Sequence, residues 1–380
     1  MQAEQLVFGA GEWEATKPQM RSRESASLVL VFGARDALCK GAYLPALREH
    51  FPHADIVSCS TGGQVIGTRV VDDEIVASAL SFTSTRVRTA DVALSSADDS
   101  EAAGRRLGEQ LDGEGLTHVL VFAEGLHVNG SALARGLTSA LPATVGVSGG
   151  LAADGEKFEH TLVGLNRIPM EGRVVGVGLY GNQLDVATGS FTGWQPFGED
   201  RVITRSSGNV LYELDHVPAL AVYKELLGPL GYALPASGLM FPLKIRESTQ
   251  GGGVIRTILG VDEHEGSVTF AGDLPEGWLA KLVRTDLDQL VAGAGIAAEQ
   301  VVAAEIEHQF VLAVSCIGRR MLLQQRVGEE LHRLRDRLGT AVPVAGFYSY
   351  GELAPSRAGE SCELHNQTMT VTCFGEREND

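Results

Sequence analysis

Apolar residues in this chain come mostly as short unbroken runs, not at helical spacing. Leu28-Val29-Leu30-Val31-Phe32-Gly33 and His118-Val119-Leu120-Val121-Phe122-Ala123 have the length and branched content of strands buried on both faces. Each run opens the same series. After the first come a helical segment, Tyr43–His50, the run Ile56-Val57-Ser58-Cys59-Ser60-Thr61-Gly62-Gly63, and a further strand, Ile75–Phe82. After the second, which starts 90 residues later, come Ser131–Leu141, Thr144-Val145-Gly146-Val147-Ser148-Gly149-Gly150 and His160–Asn166. The pattern predicts a duplicated unit of strand, crossover helix, parallel strand and antiparallel strand. Two copies at this period predict a pseudo-symmetric domain, not an open array.

Further strand-like runs, Arg173–Tyr180 and Leu184–Phe191, lead to the segment Thr192–Asp200 with Trp194, Pro196 and Gly198, where a boundary is expected. The expected domains are therefore 1–200 and 201–380. In the second, Val202–Leu214 precedes a helical Pro218–Leu227 and a Gly/Pro-rich stretch. Val254–Val261 and Ser267–Gly272 flank an acidic turn and read as a hairpin. Phe310–Cys316 is a core strand, and Arg320–Leu338 places Val327, Leu331, Leu334 and Leu338 on one face of a helix. Val344–Leu353 and His365–Phe374 read as two adjacent closing strands. The fold class is mixed α/β (α+β), strand-rich, with a mixed or antiparallel sheet in the second domain.

Composition narrows the classes of function. The chain has 31 basic and 48 acidic residues among 380, a net charge of −17, which disfavours nucleic acid and anionic membranes as partners. The apolar runs are far shorter than the roughly 20 residues of a membrane helix. Cys39, Cys59, Cys316, Cys362 and Cys373 form no CxxC pair, and Met1–Ala10 has no secretory pattern, so a cytoplasmic protein with free thiols is expected.

Several motifs bear on chemistry. Gly146-Val147-Ser148-Gly149-Gly150 matches a hydrolase nucleophile elbow, but the helix that should follow is replaced by Asp154-Gly155 and another strand. The two glycine-rich strand ends, at Thr61 and Ser148, fit either tight turns or loops that let backbone approach a ligand. No phosphate-loop or metal-ligand spacing occurs. Cys316 ends a core strand and would need a base, for which His365 is the candidate. The polar run His365-Asn366-Gln367-Thr368 and its expected neighbour Tyr348-Ser349-Tyr350-Gly351-Glu352 need hydrogen-bond partners that a polar pocket would supply.

These segments resemble the FIST proteins, named for F-box and intracellular signal transduction proteins, with an N-terminal and a C-terminal FIST domain. The resemblance rests on Cys59–Gly63, Glu124–Gly130 and Gly146–Gly150 in the first domain, and on Leu239–Leu243, Arg256–Leu259 and Asp273–Gly277 in the second. Gly346–Glu352 and Leu364–Thr368 are its most specific part. It implies an intracellular sensor of small ligands such as amino acids, without catalytic residues. It also implies an output partner in trans, a sensor histidine kinase or a cyclic-di-GMP enzyme, because the chain has no kinase or cyclase segment. Some free-standing bacterial members are haem-binding nitric oxide sensors, for which His365, His127 and His216 are the axial candidates. The expected ligand-binding residues are Thr61, Ser148, Arg256, Tyr348, Tyr350, Glu352, His365 and Asn366. A serine or cysteine hydrolase using Ser148 or Cys316 is the reading from another class.

Overall fold

The computed structural model describes residues 1–17, 20–249 and 252–377. The duplicated unit is present, and the structure adds a third. The first unit comprises β1 (Gln2–Gly9), β2 (Glu12–Lys17), β3 (Leu28–Gly33), α1 (Arg35–Leu38), α2 (Tyr43–His50), β4 (Asp55–Ser60), the hairpin β5 (Gln64–Ile66) and β6 (Arg69–Val71), and β7 (Ile75–Ser81). The second comprises β8 (Arg86–Ala93), α3 (Ser100–Leu111), β9 (Leu116–Ala123), α4 (Gly130–Ser139), β10 (Gly146–Leu151), β11 (Val163–Leu165) and β12 (Arg173–Tyr180).

The third unit opens with β13 (Leu184–Phe191) and is then interrupted. The insert carries β14 (Gln195–Ser207), β15 (Val210–Leu214), β16 (Val217–Pro218), α5 (Ala219–Leu227), β17 (Leu243–Arg246), β18 (Val254–Arg256), β19 (Ile258–Asp262), β20 (Ser267–Phe270) and β21 (Leu279–Arg284), which form an eight-stranded sheet over a core of their own. The unit resumes with α6 (Leu287–Val302), β22 (Phe310–Cys316), α7 (Ile317–Leu323), α8 (Val327–Leu338), β23 (Val344–Ser349), the hairpin β24 (Glu352–Pro355) and β25 (Cys362–His365), and β26 (Met369–Glu376).

Each unit builds one six-stranded sheet on the same plan. The central pair is parallel, β3 with β4, β9 with β10 and β22 with β23. An antiparallel strand, β7, β12 or β26, lies on the far side of the first of the pair. The strand that follows each pair then leaves for a neighbouring sheet: β5 joins β23, β11 joins β4, and β24 joins β10. The exchange is cyclic, so the three sheets close into a ring. One apolar core fills it, with Phe32, Phe122 and Phe347 from the three units packed centroid to centroid at 4.8 to 6.2 Å.

Three sequence expectations change as a result. The return strand of the second copy is β12, because Val163–Leu165 is the exchanged strand and pairs with β4. Val344–Leu353 and His365–Phe374 are not neighbours: β22 lies between β23 and β26, and only the short β24 and β25 pair, with Glu352 opposite His365. The helix expected over Arg320–Leu338 breaks in two where Gln324 turns to positive φ. Residue 200 lies inside β14, and strands from both sides of it share sheets.

Gly149 shows how tightly the parallel pairs are set. Its φ is 146°, and a Cβ there would stand 1.9 Å from the carbonyl oxygen of Val121 in the adjacent strand. Gly149→Ala is expected to destabilise the protein by roughly 2–4 kcal/mol, measured by urea unfolding, because neither the backbone angle nor the contact has room to relax.

Candidate functional site

The C-terminal ends of the parallel strands from all three units meet, and the backbone itself joins them. The Gly62 amide donates to the Tyr348 carbonyl (2.7 Å), Ala153 to Ser60 (2.9 Å), and Leu151 to Gly351 (2.8 Å). Beside this junction lies a cleft of about 170 Å³. The first unit lines it with Arg35, Asp36, Thr61–Gln64 and Asp72, the second with Asp154, Gly155 and Lys157, and the third with Arg320.

Charges of both signs face one another there. Arg320 grips Asp72 through both Nη atoms (2.6 and 2.7 Å) and also donates to the Gly62 carbonyl. It reaches that position because Gly63 has no side chain: a Cβ would fall 2.1 Å from Arg320 Nη1. Arg35 donates to Asp36 (3.0 Å), Asp154 (3.4 Å) and Glu159 (3.1 Å), and Lys157 to Asp36 (3.0 Å). Asp154 organises the loop beneath. It accepts the amides of Phe158, Glu159 and His160 and the hydroxyl of Tyr350. Burial opposes its ionisation, but those amides and that hydroxyl hold its carboxyl below the ordinary range.

Gln64 is the unbalanced member. It is 1% exposed, and its amide nitrogen donates to the carbonyls of Glu74 (2.7 Å) and Asp72 (3.4 Å), while its Oε1 is buried with no donor. A buried acceptor left without a partner costs about 1–3 kcal/mol, which a ligand N–H would recover.

Tyr348 and Tyr350 run from the cleft into the protein. The Tyr350 ring stacks on Phe158 at 4.6 Å, and the Arg320 guanidinium lies 5.7 Å from the Tyr348 ring centroid. The Tyr348 hydroxyl donates to Glu330 (2.6 Å), a fully buried residue of α8 that pairs with Arg319 at 2.8 Å. Arg319 in turn donates to the carbonyls of Thr192 (2.8 Å) and Leu290 (2.7 Å). Adjacent residues of α7 thus serve two places, Arg320 the cleft and Arg319 the seat of α6 and α8.

The other expected site residues fall into three places. Glu352, His365 and Asn366 form a buried polar cluster behind the tyrosines. Glu352 accepts the Ser349 hydroxyl (2.6 Å) and the Thr368 amide (3.2 Å), and burial pushes its carboxyl up to about 8. His365 donates Nε2–H to the Ala354 carbonyl (2.9 Å), and burial holds it down to about 4. The side-chain amides of Asn366 and Gln367 have no partner there, and Gln367 has a φ of 57°. Arg256 fastens the insert to the ring, donating to Leu364 (2.9 Å) and Asp273 (3.0 Å) carbonyls and to Ser131 Oγ (3.3 Å). Ser148 lies within the shared core, bonded to His118 Nε2 and Thr372 Oγ1, each at 2.9 Å.

This arrangement brings neither nucleophile together with His365. Ser148 is 1% exposed in mid-strand, its neighbour His118 is held down to about 3 by burial, and burial raises the Cys316 thiol beside Glu352. The three histidines do not fit haem either. Axial ligation needs a free imidazole nitrogen at the wall of a deep apolar slot. His127 is 65% exposed beside Glu124, His216 sits on an exposed turn, His365 commits Nε2 to a carbonyl, and none of the three lines the cleft.

Of the residues expected from the sequence, Thr61 lines the cleft and Tyr348 and Tyr350 back it through Arg320 and Asp154, while Arg35, Gln64, Asp72, Asp154, Lys157 and Arg320 were missed. Asp154-Gly155 directly after a glycine-rich strand was the available signal. For the other five, separations of up to 285 residues hid the grouping.

The raised Glu352 carboxyl has a measurable consequence. At this position the folded protein keeps a proton that the unfolded chain releases above about 4.5, so the contribution of Glu352 to stability falls as pH rises from about 4.5 to about 8. Glu352→Gln has no proton to lose. Its stability relative to wild type, from urea unfolding at a series of pH values, is expected to grow across that window.

Residues 27–217 match the FIST N domain and residues 219–355 the FIST C domain. Two uncharacterized proteins of Mycobacterium tuberculosis, from strains CDC 1551 / Oshkosh and ATCC 25618 / H37Rv, are 28% identical over 248 residues. The alignment spans 63% of this chain and 63% of each relative, less than two thirds of their length. With both domain models matched across most of its length, the chain belongs to the FIST family, whose domains are associated with sensing small ligands in signal transduction.

Proposed function

We propose that the protein is a cytoplasmic sensor whose ligand, a small molecule with an anionic group and an N–H donor, binds the cleft between Arg35, Gln64 and Arg320. The orphaned Gln64 acceptor among paired charges of both signs carries this reading. An anionic group would draw Arg320 or Arg35 away from its aspartate, and an ammonium would take Gln64 Oε1 and the released carboxylate. A free amino acid has this chemistry, and its size suits about 170 Å³.

The signal would leave through α7. A ligand shifts an equilibrium only by binding two states unequally. If it displaces Arg320 from Asp72, it disturbs the short helix α7, in which the adjacent residue, Arg319, ties Glu330 of α8 to Leu290 of α6. The output would be a separate protein, a sensor histidine kinase or a cyclic-di-GMP enzyme.

A thermal-shift screen of free amino acids and related carboxylates tests the reading. At least one compound is expected to stabilise the wild type, by about 2.7 kcal/mol at one hundred times its Kd. Gln64→Leu and Arg320→Ala should each weaken that binding at least about tenfold, near 1.4 kcal/mol. The cleft loses its role if no compound shifts the melt, or if a shift survives both substitutions. In the same preparations, supplied with haem during expression, no stoichiometric Soret band is expected, and such a band would restore the gas-sensor alternative.

A further inference from the structure

Helices α6 and α8 lie side by side, with an open groove of about 670 Å³ between them. The α6 wall presents Asp288 and Glu299. The α8 wall, from its N-cap onward, presents Arg326, Arg333 and Arg337, with Glu329 and Asp336 between them. Arg326 reaches Asp288 at 2.7 Å near one end of the groove, and Arg337 reaches Glu299 at 2.9 Å near the other. The two helices therefore run in the same direction with opposite charges at matching levels.

We propose that this face is an interface between two copies of the chain, related by a two-fold axis parallel to α6 and α8. Rotation about such an axis keeps every level along the helices and exchanges left for right. The α6 wall of one copy then stands over the α8 wall of the other, so Asp288 meets Arg326 of the second copy and Glu299 meets Arg337, twice over by symmetry. An axis laid across the helices would set acid against acid, so the charge pattern selects one dimer.

The exchange costs little. The pairs within one copy are solvent-exposed, with Arg337 and Glu299 56% and 50% exposed, and exposed pairs contribute little to stability. Ala292 and Ile296, which line the groove, keep apolar surface in water that a second copy would cover. The charge of −17 on each copy opposes association everywhere else, so two copies should meet where the local charges match. This inference is independent of the ligand reading.

Sedimentation velocity on the full chain tests it with two charge variants. Arg333→Glu/Arg337→Glu makes both walls predominantly acidic, and Asp288→Lys/Glu299→Lys makes both predominantly basic. The wild type is expected to dimerise with a Kd below about 100 μM. Each variant alone, with wild-type circular dichroism, should dimerise at least about tenfold more weakly, and an equimolar mixture should recover the dimer. A monomeric wild type at that concentration, a variant that dimerises alone as the wild type does, or a mixture that stays monomeric would each overturn the proposal. The thermal-shift response of the cleft is read separately, so either idea can fail without the other.

Discussion

The cyclic exchange of one strand per unit is the constraint on which the rest of the molecule depends. Each parallel pair ends in small residues, and the chain then crosses to complete the next sheet instead of turning back onto its own. No sheet is complete without a neighbour, so the three units must fold as one body around Phe32, Phe122 and Phe347. The parallel pairs and the segments that leave them are themselves close-packed at glycine. Gly125, Gly149 and Gly346 each leave less than 2 Å between a hypothetical Cβ and a backbone carbonyl of a neighbouring segment.

The exchange also creates the cleft. Parallel strands aim their C-terminal ends at one place, which is where open α/β sheets present ligands. Here three such ends converge, and the loops that leave them carry side chains chosen independently of strand packing. Arg35, Asp154 and Arg320 come from three different units, and the cleft exists only because the ring closes. The buried cluster of Glu352, His365 and Asn366 lies behind it, in the turn where β24 leaves for the second sheet. A raised carboxyl, orphaned amides and a glutamine at positive φ are the strain such a crossing concentrates.

Arg256 and Arg319 are the second-order fasteners. Both guanidiniums are buried; Arg256 is bound mainly by backbone carbonyls and joins the insert to α4 and β25, and Arg319 is shared between the Glu330 carboxylate and two carbonyls and joins α6, α7 and α8. A lysine has one point charge and cannot span such spaced acceptors, whereas the planar fork of arginine can. These residues add polar fastening to the apolar packing of α6 and α8 on β22, β23 and β26 and of the insert on α6.

The chain by itself determined the central strands, because runs such as Leu28–Phe32 and Val119–Ala123 are apolar on every residue and can only be buried on both faces. It also determined the first two repeats and the polar character of Tyr348–Glu352 and His365–Thr368. The third repeat stayed hidden because an insert of about ninety residues separates β13 from α6 and β22, and local periodicity cannot register a unit split that widely. Tertiary structure alone decided strand exchange, since hydrophobic pattern specifies which face is buried but not which neighbour buries it. It alone placed Arg256 and Ser148 in hydrogen-bonded positions away from the cleft and gathered Arg35, Gln64, Asp72 and Arg320 at it, because single polar residues in short elements and turns carry no periodicity from which their partners can be read.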